Sequence, residues 1–345
     1  MIGPRAFADL SPSAFQPHAL HAPPSVWQER NCYIDLWIEA VHALGADPHA
    51  MLPVVLALDF EGDQWTFFKP SHAALWALYG IDVQELTVWR PMLEHLREHL
   101  GAGKLLCIEA DSHWLPDTAG TDYQQQHNKT SIVVTALDEA QRRLHYFHNA
   151  GFFSLDGGDF EQLLATASPA AALPLFAELV KVDRLVRRDA ADLRHRTLLD
   201  VQRHAARRPA DNPVRRFAKR FDAELPLLRE RGMDHYHRWA FGTIRQLGAA
   251  FELAARLCNW LDVSPAPDNT HWAQAQRHFD DISIGCKALI LKTARAVASG
   301  KPFDAAAACQ PMIEAWDKGM SELDRGLLLT MVGQRELVTA DGVVA

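Results

Sequence analysis

The hydrophobic pattern changes near Pro169, and this change constrains the fold more than any other feature of the sequence. Before it, short β-rich runs alternate with helical segments. After it, apolar residues recur at three- and four-residue spacing as far as about Leu329, which is typical of helices. The sequence therefore predicts an α+β domain over residues 25–168 and an all-α helical bundle over residues 169–335. Residues 1–24, rich in Pro, Ala and Ser, are predicted to form an arm that lies on the surface or is partly disordered.

Turn and cap residues divide each half into elements. In the first half we expect helices at 33–44, 71–79, 91–100 and 159–164, a hairpin of strands 54–60 and 65–68, and strands at 104–109, 130–137 and 142–148. In the second half we expect helices at 173–207, 213–230, 234–261, 271–299 and 304–329. The breaks contain Pro209, Gly232, the pair Pro265 and Pro267, and Gly300.

Composition excludes several classes of protein. The five cysteines are scattered and never form a C-x-x-C pair, so neither a disulfide framework nor a zinc knuckle is indicated. No stretch approaches the roughly 20 apolar residues of a membrane span, and the first 25 residues contain no apolar run long enough for a signal peptide. We therefore expect a cytoplasmic protein with reduced thiols and no membrane partner.

Cys32 is the first candidate for chemistry, because it opens the helix predicted at 33–44. The unpaired N–H groups and the positive end of the dipole at a helix N-terminus stabilise a thiolate, which is the nucleophilic form of cysteine. Free cysteines are more often small buried hydrophobes. A nucleophilic role for Cys32 therefore requires a base elsewhere in the chain.

His127 and Asn149 are the candidates for that base and for the group that orients it. His127 precedes one strand of a predicted antiparallel pair and Asn149 follows the other, so the two side chains are expected to be neighbours. His145 and His148 are alternatives for the base, although His148 would point to the opposite face of the strand from Asn149.

A long polar loop leads from the strand at 104–109 to His127, and loops of this length inside compact domains are usually functional or disordered. Its aromatic and polar residues are candidates for substrate binding: Asp111, His113, Trp114, Asp122 and Tyr123. No fixed ligand spacing supports a metal in this loop, and the helical half lacks the Glu-x-x-His pairs of di-iron bundles. We therefore predict no metal.

At these residues the sequence resembles papain-like cysteine enzymes, and more narrowly the N-terminal domain of butirosin biosynthesis protein H. The resemblance rests on Asn31-Cys32 opening a helix, on the loop that leads to His127, and on the segment after Asn149; it covers roughly residues 25–165. The chain as a whole also resembles an uncharacterised bacterial family, a domain of unknown function encoded beside amino acid:carrier-protein ligases. Val26 stands where papain-type enzymes place the oxyanion Gln, so Gln28 and Asn31 are the candidates for that role.

The resemblance implies a papain-like fold and thiol-dependent transfer of an acyl or aminoacyl group from a carrier-protein thioester, through Cys32, to an amine or another small acceptor. Its only cofactor would be the phosphopantetheine arm of the partner. The alternatives are a non-catalytic carrier-binding or scaffold protein with the same fold, and a cysteine peptidase or amidase.

The charge distribution suggests where an acidic carrier protein would bind. Residues 184–231 contain 14 Lys and Arg against 7 Asp and Glu, within a chain of net charge −8. A basic face suits an acidic partner, whereas the acidic whole and the scarcity of aromatic residues in this segment disfavour nucleic acid. The predicted partner-binding residues are Arg187, Arg188, Arg207, Arg208, Arg215, Arg216 and Lys219. A solvated helix face is the alternative interpretation.

Overall fold

The computed structural model describes residues 1–166, 176–264 and 270–341. The chain divides into two compact units. The first comprises Met1–Pro23, Asn31–Pro48 and Pro70–Asp189, and the second comprises Pro24–Arg30, His49–Lys69 and the chain from Ala190 onward. The predicted boundary at residues 168 and 169 and the predicted break at Pro265 and Pro267 lie outside the described residues. The expected class is confirmed: an α+β N-terminal region precedes a C-terminal part whose described residues form only helices.

The first unit is built on a six-stranded sheet with the order β3-β8-β4-β5-β6-β7, in which every neighbouring pair is antiparallel. The strands are β3 (Asp82–Glu85), β4 (Leu105–Asp111), β5 (Lys129–Asp138), β6 (Arg143–His148), β7 (Gly151–Asp156) and β8 (Ala177–Lys181). Strands β4 to β7 are neighbours in the sheet in the order of the sequence. Strand β8 follows them in the sequence but lies between β3 and β4 in the sheet.

Alternation along the strands gives the sheet two apolar faces. One face packs Leu106, Ile108 and Ile132 against α3 (Met92–Gly101) and α4 (Gly157–Thr166). The other face packs against α1 (Cys32–Ala43), which contacts β5, β6 and β7. Because α1 is covered by the sheet and by other chain segments, every residue from Tyr33 to Val41 is buried. The predicted helix after Cys32 is thus the central helix of this unit.

The predicted helix at 173–207 is wrong in its first part. The structure has strand β8 at Ala177–Lys181 and begins helix α5 only at Ala190. The apolar run around Leu179 is too short for its periodicity to distinguish a strand from a helix. Strand β8 forms because its backbone groups find partners on both sides, in β3 and β4.

The N-terminal segment packs on the first unit instead of lying loosely on its surface. It contains two short 3₁₀ helices, and Phe7, Leu20 and His21 are all buried. Ile2 exchanges backbone hydrogen bonds with Leu137. Its Pro and Ser content is a poor guide here, because a few apolar anchors suffice to fix an irregular segment.

The second unit consists of α5 (Ala190–Ala205), α6 (Pro213–Gly242), α7 (Ile244–Leu261), α8 (His271–Ser299) and α9 (Ala305–Asp341), with a 3₁₀ helix (Pro48–Ala57) and the hairpin β1 (Phe60–Glu61) and β2 (Gln64–Trp65). The hairpin is confirmed but shorter than expected, because the 3₁₀ helix occupies most of the strand predicted at 54–60. Gly232 interrupts the helical backbone with φ 76° as predicted, and the helix expected at 234–261 is divided at Thr243.

A buried carboxylate fixes residues 25–30 in the second unit. Glu252 of α7 is 1% exposed and accepts hydrogen bonds from the backbone N–H groups of Val26 (2.6 Å) and Trp27 (3.2 Å). It also accepts from the Ser25 hydroxyl at 2.8 Å and from the buried Arg30 guanidinium at 3.1 Å. One side chain therefore satisfies four donors of an otherwise irregular segment.

Within the part of the chain that the structure describes, none of the helices combines the length and the apolar composition that crossing a bilayer requires.

We expect Glu252→Ala to destabilise the second unit by about 3–5 kcal/mol, because the buried Arg30 guanidinium and the donors of residues 25–27 would lose this buried acceptor. Urea unfolding followed by tryptophan fluorescence measures the loss. Glu230→Ala is the matched control, since Glu230 is an exposed α6 residue, and should change stability by less than about 0.5 kcal/mol. Equal effects of the two substitutions would show that Glu252 does not anchor residues 25–30.

Candidate functional site

Cys32 occupies the first position of α1, as the sequence predicts. Asn31 caps the helix: its Oδ1 accepts a hydrogen bond from the backbone N–H of Ile34 at 2.9 Å. The side-chain oxygen of Asn31 is thus used by the cap, and an oxyanion role for Asn31 would fall to its amide nitrogen, which is a hydrogen-bond donor. Gln28, the other candidate, is exposed and belongs to the second unit.

Cys32 differs from the other cysteines in its exposure. It is half-buried, whereas Cys107, Cys258, Cys286 and Cys309 are buried. Burial raises the pKa of the Cys258, Cys286 and Cys309 thiols, to about 12 for Cys309, because a thiolate is poorly solvated in an apolar core. Of the five thiols, Cys32 is the one that a reagent or substrate can reach without opening the fold.

His127 is exposed and is held by a carboxylate. Its Nδ1 lies 2.7 Å from Oδ2 of Asp111, and its ring stacks on that of His113 with 4.0 Å between centroids. The side chain is 67% exposed, and its Nε2 has no hydrogen-bond partner among the described residues. A carboxylate on one nitrogen and an accessible second nitrogen are the requirements of a general base.

The structure does not join the three predicted catalytic residues by hydrogen bonds. Among the described residues, Cys32 has no hydrogen-bond partner, and the orienting partner of His127 is Asp111 rather than Asn149. Asn149 lies in the turn between β6 and β7 with φ 45°, and its amide makes no hydrogen bond within the described ranges. Hydrogen bonds between catalytic groups are often formed only in the complex with substrate, so the triad remains a prediction.

His148, the alternative base, is buried and fully engaged. Its Nδ1 lies 2.5 Å from Asp117 and its Nε2 lies 2.8 Å from the Thr130 hydroxyl, with the residue 1% exposed. The Tyr146 hydroxyl also donates to Asp117, and burial together with this carboxylate raises the pKa of Tyr146. The cluster therefore holds the loop of Asp117 to the sheet and leaves no nitrogen of His148 for a substrate.

The polar loop between β4 and His127 is ordered by its own side chains. Asp122 accepts hydrogen bonds from Ser112 (2.7 Å) and Asn128 (3.2 Å), and Tyr123 donates to Asp159 at 2.8 Å. Asp122 and Tyr123, which were candidates for substrate binding, therefore have structural partners, and Asp111 holds His127.

Two other candidates in this loop offer unused polar groups. The Nδ1 of His113 and the indole N–H of Trp114 are buried atoms that lack a hydrogen-bond partner in the described chain. Buried polar groups normally have partners, so these two sites are available to water or a ligand.

A third imidazole that is held by a carboxylate, that of His72, was not expected from the sequence. The Nε2 of His72, the first residue of α2 (His72–Tyr79), lies 3.0 Å from Oε1 of Glu178. Glu178 is fully buried on β8 and also accepts a hydrogen bond from the Tyr33 hydroxyl at 2.6 Å. Burial, with smaller contributions from Cys107 and Glu178, raises the pKa of Tyr33, so its hydroxyl remains a donor.

His72 also contacts a residue of α1, because its Nε2 lies 3.5 Å from the hydroxyl of Tyr33, which directly follows Cys32 in the sequence. The His72 side chain is 36% exposed, and its Nδ1 has no hydrogen-bond partner among the described residues. No sequence signal could have identified this pair, because Glu178 lies on the strand that was predicted as helix.

The basic segment is mostly neutralised within the protein. In the first unit, Arg187 and Arg188 donate to backbone carbonyls. In the second unit, three more of the predicted partner-binding residues pair with carboxylates: Arg208 with Asp324, Arg215 with Asp317, and Arg216 with Asp59 and Asp211. Within the described ranges, Arg207 and Lys219 are the members of the predicted set whose side chains have neither a hydrogen bond nor an ion pair. These contacts favour a structural role for most of this segment.

Family models account for most of the chain. The DUF1839 N-terminal domain matches residues 16–182, and the DUF1839 C-terminal domain matches residues 190–325. The chain belongs to the DUF1839 family. Membership of a family of unknown function is thus confirmed, and the gap between the two DUF1839 domains contains the point at which the compact units divide, after Asp189. No curated protein matches this DUF1839 chain.

We expect Asp117→Ala to destabilise the DUF1839 N-terminal domain by about 2–4 kcal/mol, because it leaves two buried donors, Tyr146 and His148, without their acceptor. Denaturant titration of the full chain measures this. Asp9→Ala, at an exposed position of the same unit, should be close to neutral. If both variants unfold at the wild-type urea concentration, the Asp117 cluster does not stabilise the loop.

Proposed function

We propose that this protein is a thiol-dependent acyl or aminoacyl transferase with a papain-like N-terminal domain, and that Cys32 is its nucleophile. The observation that carries the proposal is the setting of Cys32: an accessible thiol at the capped N-terminus of a buried central helix. The resemblance to the butirosin biosynthesis protein H domain supports transfer from a carrier-protein thioester, and so does the proposed proximity in genomes to amino acid:carrier-protein ligases.

The chemistry has two balanced steps. The Cys32 thiolate attacks the thioester carbonyl, the carbon–sulfur bond to the phosphopantetheine thiol breaks, and that thiol leaves with a proton from an imidazolium. The amine of the acceptor then attacks the Cys32 thioester, gives its proton to the same imidazole, and releases Cys32. Exchange between thioesters is nearly isoenergetic, so positioning and stabilisation of the oxyanion supply most of the rate enhancement.

Two imidazoles can serve as the base, and each is held by a carboxylate: His127 with Asp111 and His72 with Glu178. The contact of Tyr33 with His72 and Glu178 favours His72, because it links this pair to the helix that carries Cys32. Cys107 of β4 pairs with Glu178 of β8. Asp111 lies four residues further along β4, about 13 Å from Cys107 in an extended strand. His127 and Asn149 could act on the substrate from that side.

The unpartnered groups of the loop suggest how a substrate is held. The Nδ1 of His113 and the indole N–H of Trp114 can supply hydrogen bonds to the acyl group or to the pantetheine amides. The acceptor is a small molecule, and the partner is an acidic carrier protein. Arg207 and Lys219 are the members of the predicted basic set whose side chains have no hydrogen bond or ion pair within the described residues, so their charges suit such a partner.

We expect iodoacetamide to alkylate Cys32 in the folded protein before any of the other four thiols, because those are buried. Peptide mass spectrometry identifies the modified residue, and Cys32→Ala should remove the fast phase completely. In urea all five thiols should react at similar rates. First modification of Cys107, or a Cys32 rate equal to that of a free thiol, would favour the non-catalytic scaffold.

Acylation of Cys32 by a loaded carrier protein, followed by intact mass, tests the transferase itself and identifies the base. We expect loss of the base to slow acylation by about 10²–10⁴-fold, and loss of a group that only orients it to have a smaller effect. His72→Ala and His127→Ala are compared directly, with Asn149→Ala as the predicted weaker variant and the exposed His237→Ala as the control. Wild-type rates for both His72→Ala and His127→Ala would contradict a mechanism based on either imidazole.

A further inference from the structure

Helix α8 presents an apolar surface that no described residue covers. One side of α8 packs against α7 and α9, while the opposite side carries Ile284 and Leu291, with 58% and 57% of their surfaces exposed. Ala288 lies between them and is also exposed, and Gly285 is half-buried beside it. These residues are spaced by three and four positions, so they share one face of the helix. Exposed aliphatic side chains grouped in this way mark an interaction surface.

The charges on this face are arranged symmetrically about Ala288. Asp281 lies two turns before it and Arg295 two turns after it, seven residues away in each direction. The Asp281 side chain is 71% exposed and its one ion pair is with His278 at 4.0 Å. Arg295 is exposed and has no ion pair within the described part of the chain. One end of the face is therefore acidic and the other end is basic.

A face with this charge pattern is complementary to a second copy of itself in the antiparallel orientation. If a second α8 lies antiparallel across it, with the twofold axis at Ala288, Asp281 of each copy lies opposite Arg295 of the other. The same register places each Ile284 beside the Leu291 of the second copy, since one lies four residues before the axis and the other three residues after it. A twofold interface requires this reciprocity, in which every contact occurs twice.

The small residues at the centre make the approach possible. Ala288 projects little from the helix, so two backbones can come close enough for the flanking aliphatic side chains to interlock, while Gly285 beside it packs against Met312 of α9. A cleft between α8 and α9, lined by Pro311 and Met312, borders the same position. A purely acidic partner fits less well, because Asp281 would face like charge.

We propose that this surface binds a second copy of the chain, and that the protein forms a twofold dimer through antiparallel α8 helices centred on Ala288. Two Asp281–Arg295 ion pairs set the register, and the Ile284–Leu291 contacts provide the apolar core of the interface. The pairing involves the second unit alone and is independent of the chemistry at Cys32.

Charge exchange between Asp281 and Arg295 tests the register with the full chain. Sedimentation velocity over concentrations up to about 100 µM, a range that includes weak dimers, should show the wild type dimerising. Asp281→Arg and Arg295→Asp place like charges opposite each other, so each should weaken the dimer by about 100-fold. The double variant D281R/R295D should recover it, and an equimolar mixture of the two single variants should form a heterodimer.

Controls separate this interface from misfolding and from other surfaces. Asp222→Arg and Lys219→Asp reverse exposed charges on α6 and should leave the dimer unchanged. Circular dichroism of each variant should match the wild type, since the altered side chains are exposed, and Leu291→Glu should give a folded monomer. A wild type that is monomeric at every concentration would overturn the proposal, and that is the result expected if another protein occupies this face. A dimer that survives all three single substitutions, or a mixture that fails to pair, would also overturn it.

Discussion

The position of the central helix depends on buried charge. Helix α1 carries Asp35 and Glu39, one turn apart and with no side-chain exposure, and His21 lies between them: its Nε2 is 3.0 Å from Asp35 and its Nδ1 bonds Glu39. Glu39 also accepts the backbone N–H of His18. Two carboxylates cannot be removed from water together without such partners. The N-terminal segment is therefore required by α1, and it fixes the axis on which Cys32 sits.

Buried carboxylates also join other segments of the chain that are distant in sequence. Glu178 joins α1 and α2 to the sheet through Tyr33 and His72, and Glu252 joins residues 25–30 to α7. Asp117 joins the polar loop to β6. In each case a buried carboxylate accepts several hydrogen bonds at once, which makes it costly to remove any one partner. Apolar burial supplies most of the stability of the two units, while these carboxylates specify which irregular segments lie against which elements.

Sequence periodicity predicted the elements that are long or clearly bounded. It placed the start of α1 at Cys32, the end of α8 at Gly300 and the break at Gly232, because caps and glycines act locally. It failed at β8, whose five residues form a strand only because β3 and β4 flank it. It also could not find Glu178, Asp111 or Asp117 as partners of histidines. A single carboxylate has no periodic signature, and its neighbour across a sheet is set by strand order.

Strand order therefore bears directly on the proposed chemistry. Because β8 is inserted next to β4, the buried carboxylate of Glu178 reaches the Tyr33 hydroxyl of α1 and the Nε2 of His72. In the proposed mechanism this carboxylate takes the part that an amide has in papain-like enzymes. An amide can only orient an imidazole, whereas a carboxylate also stabilises the imidazolium that forms when the thiol loses its proton. With His72 as the base, the proposed thiolate and imidazolium therefore need no contact with Asn149. The proposed oxyanion contacts become the remaining requirement, and the cap residue Asn31 and the helix N–H groups beside Cys32 are the donors nearest to it in sequence.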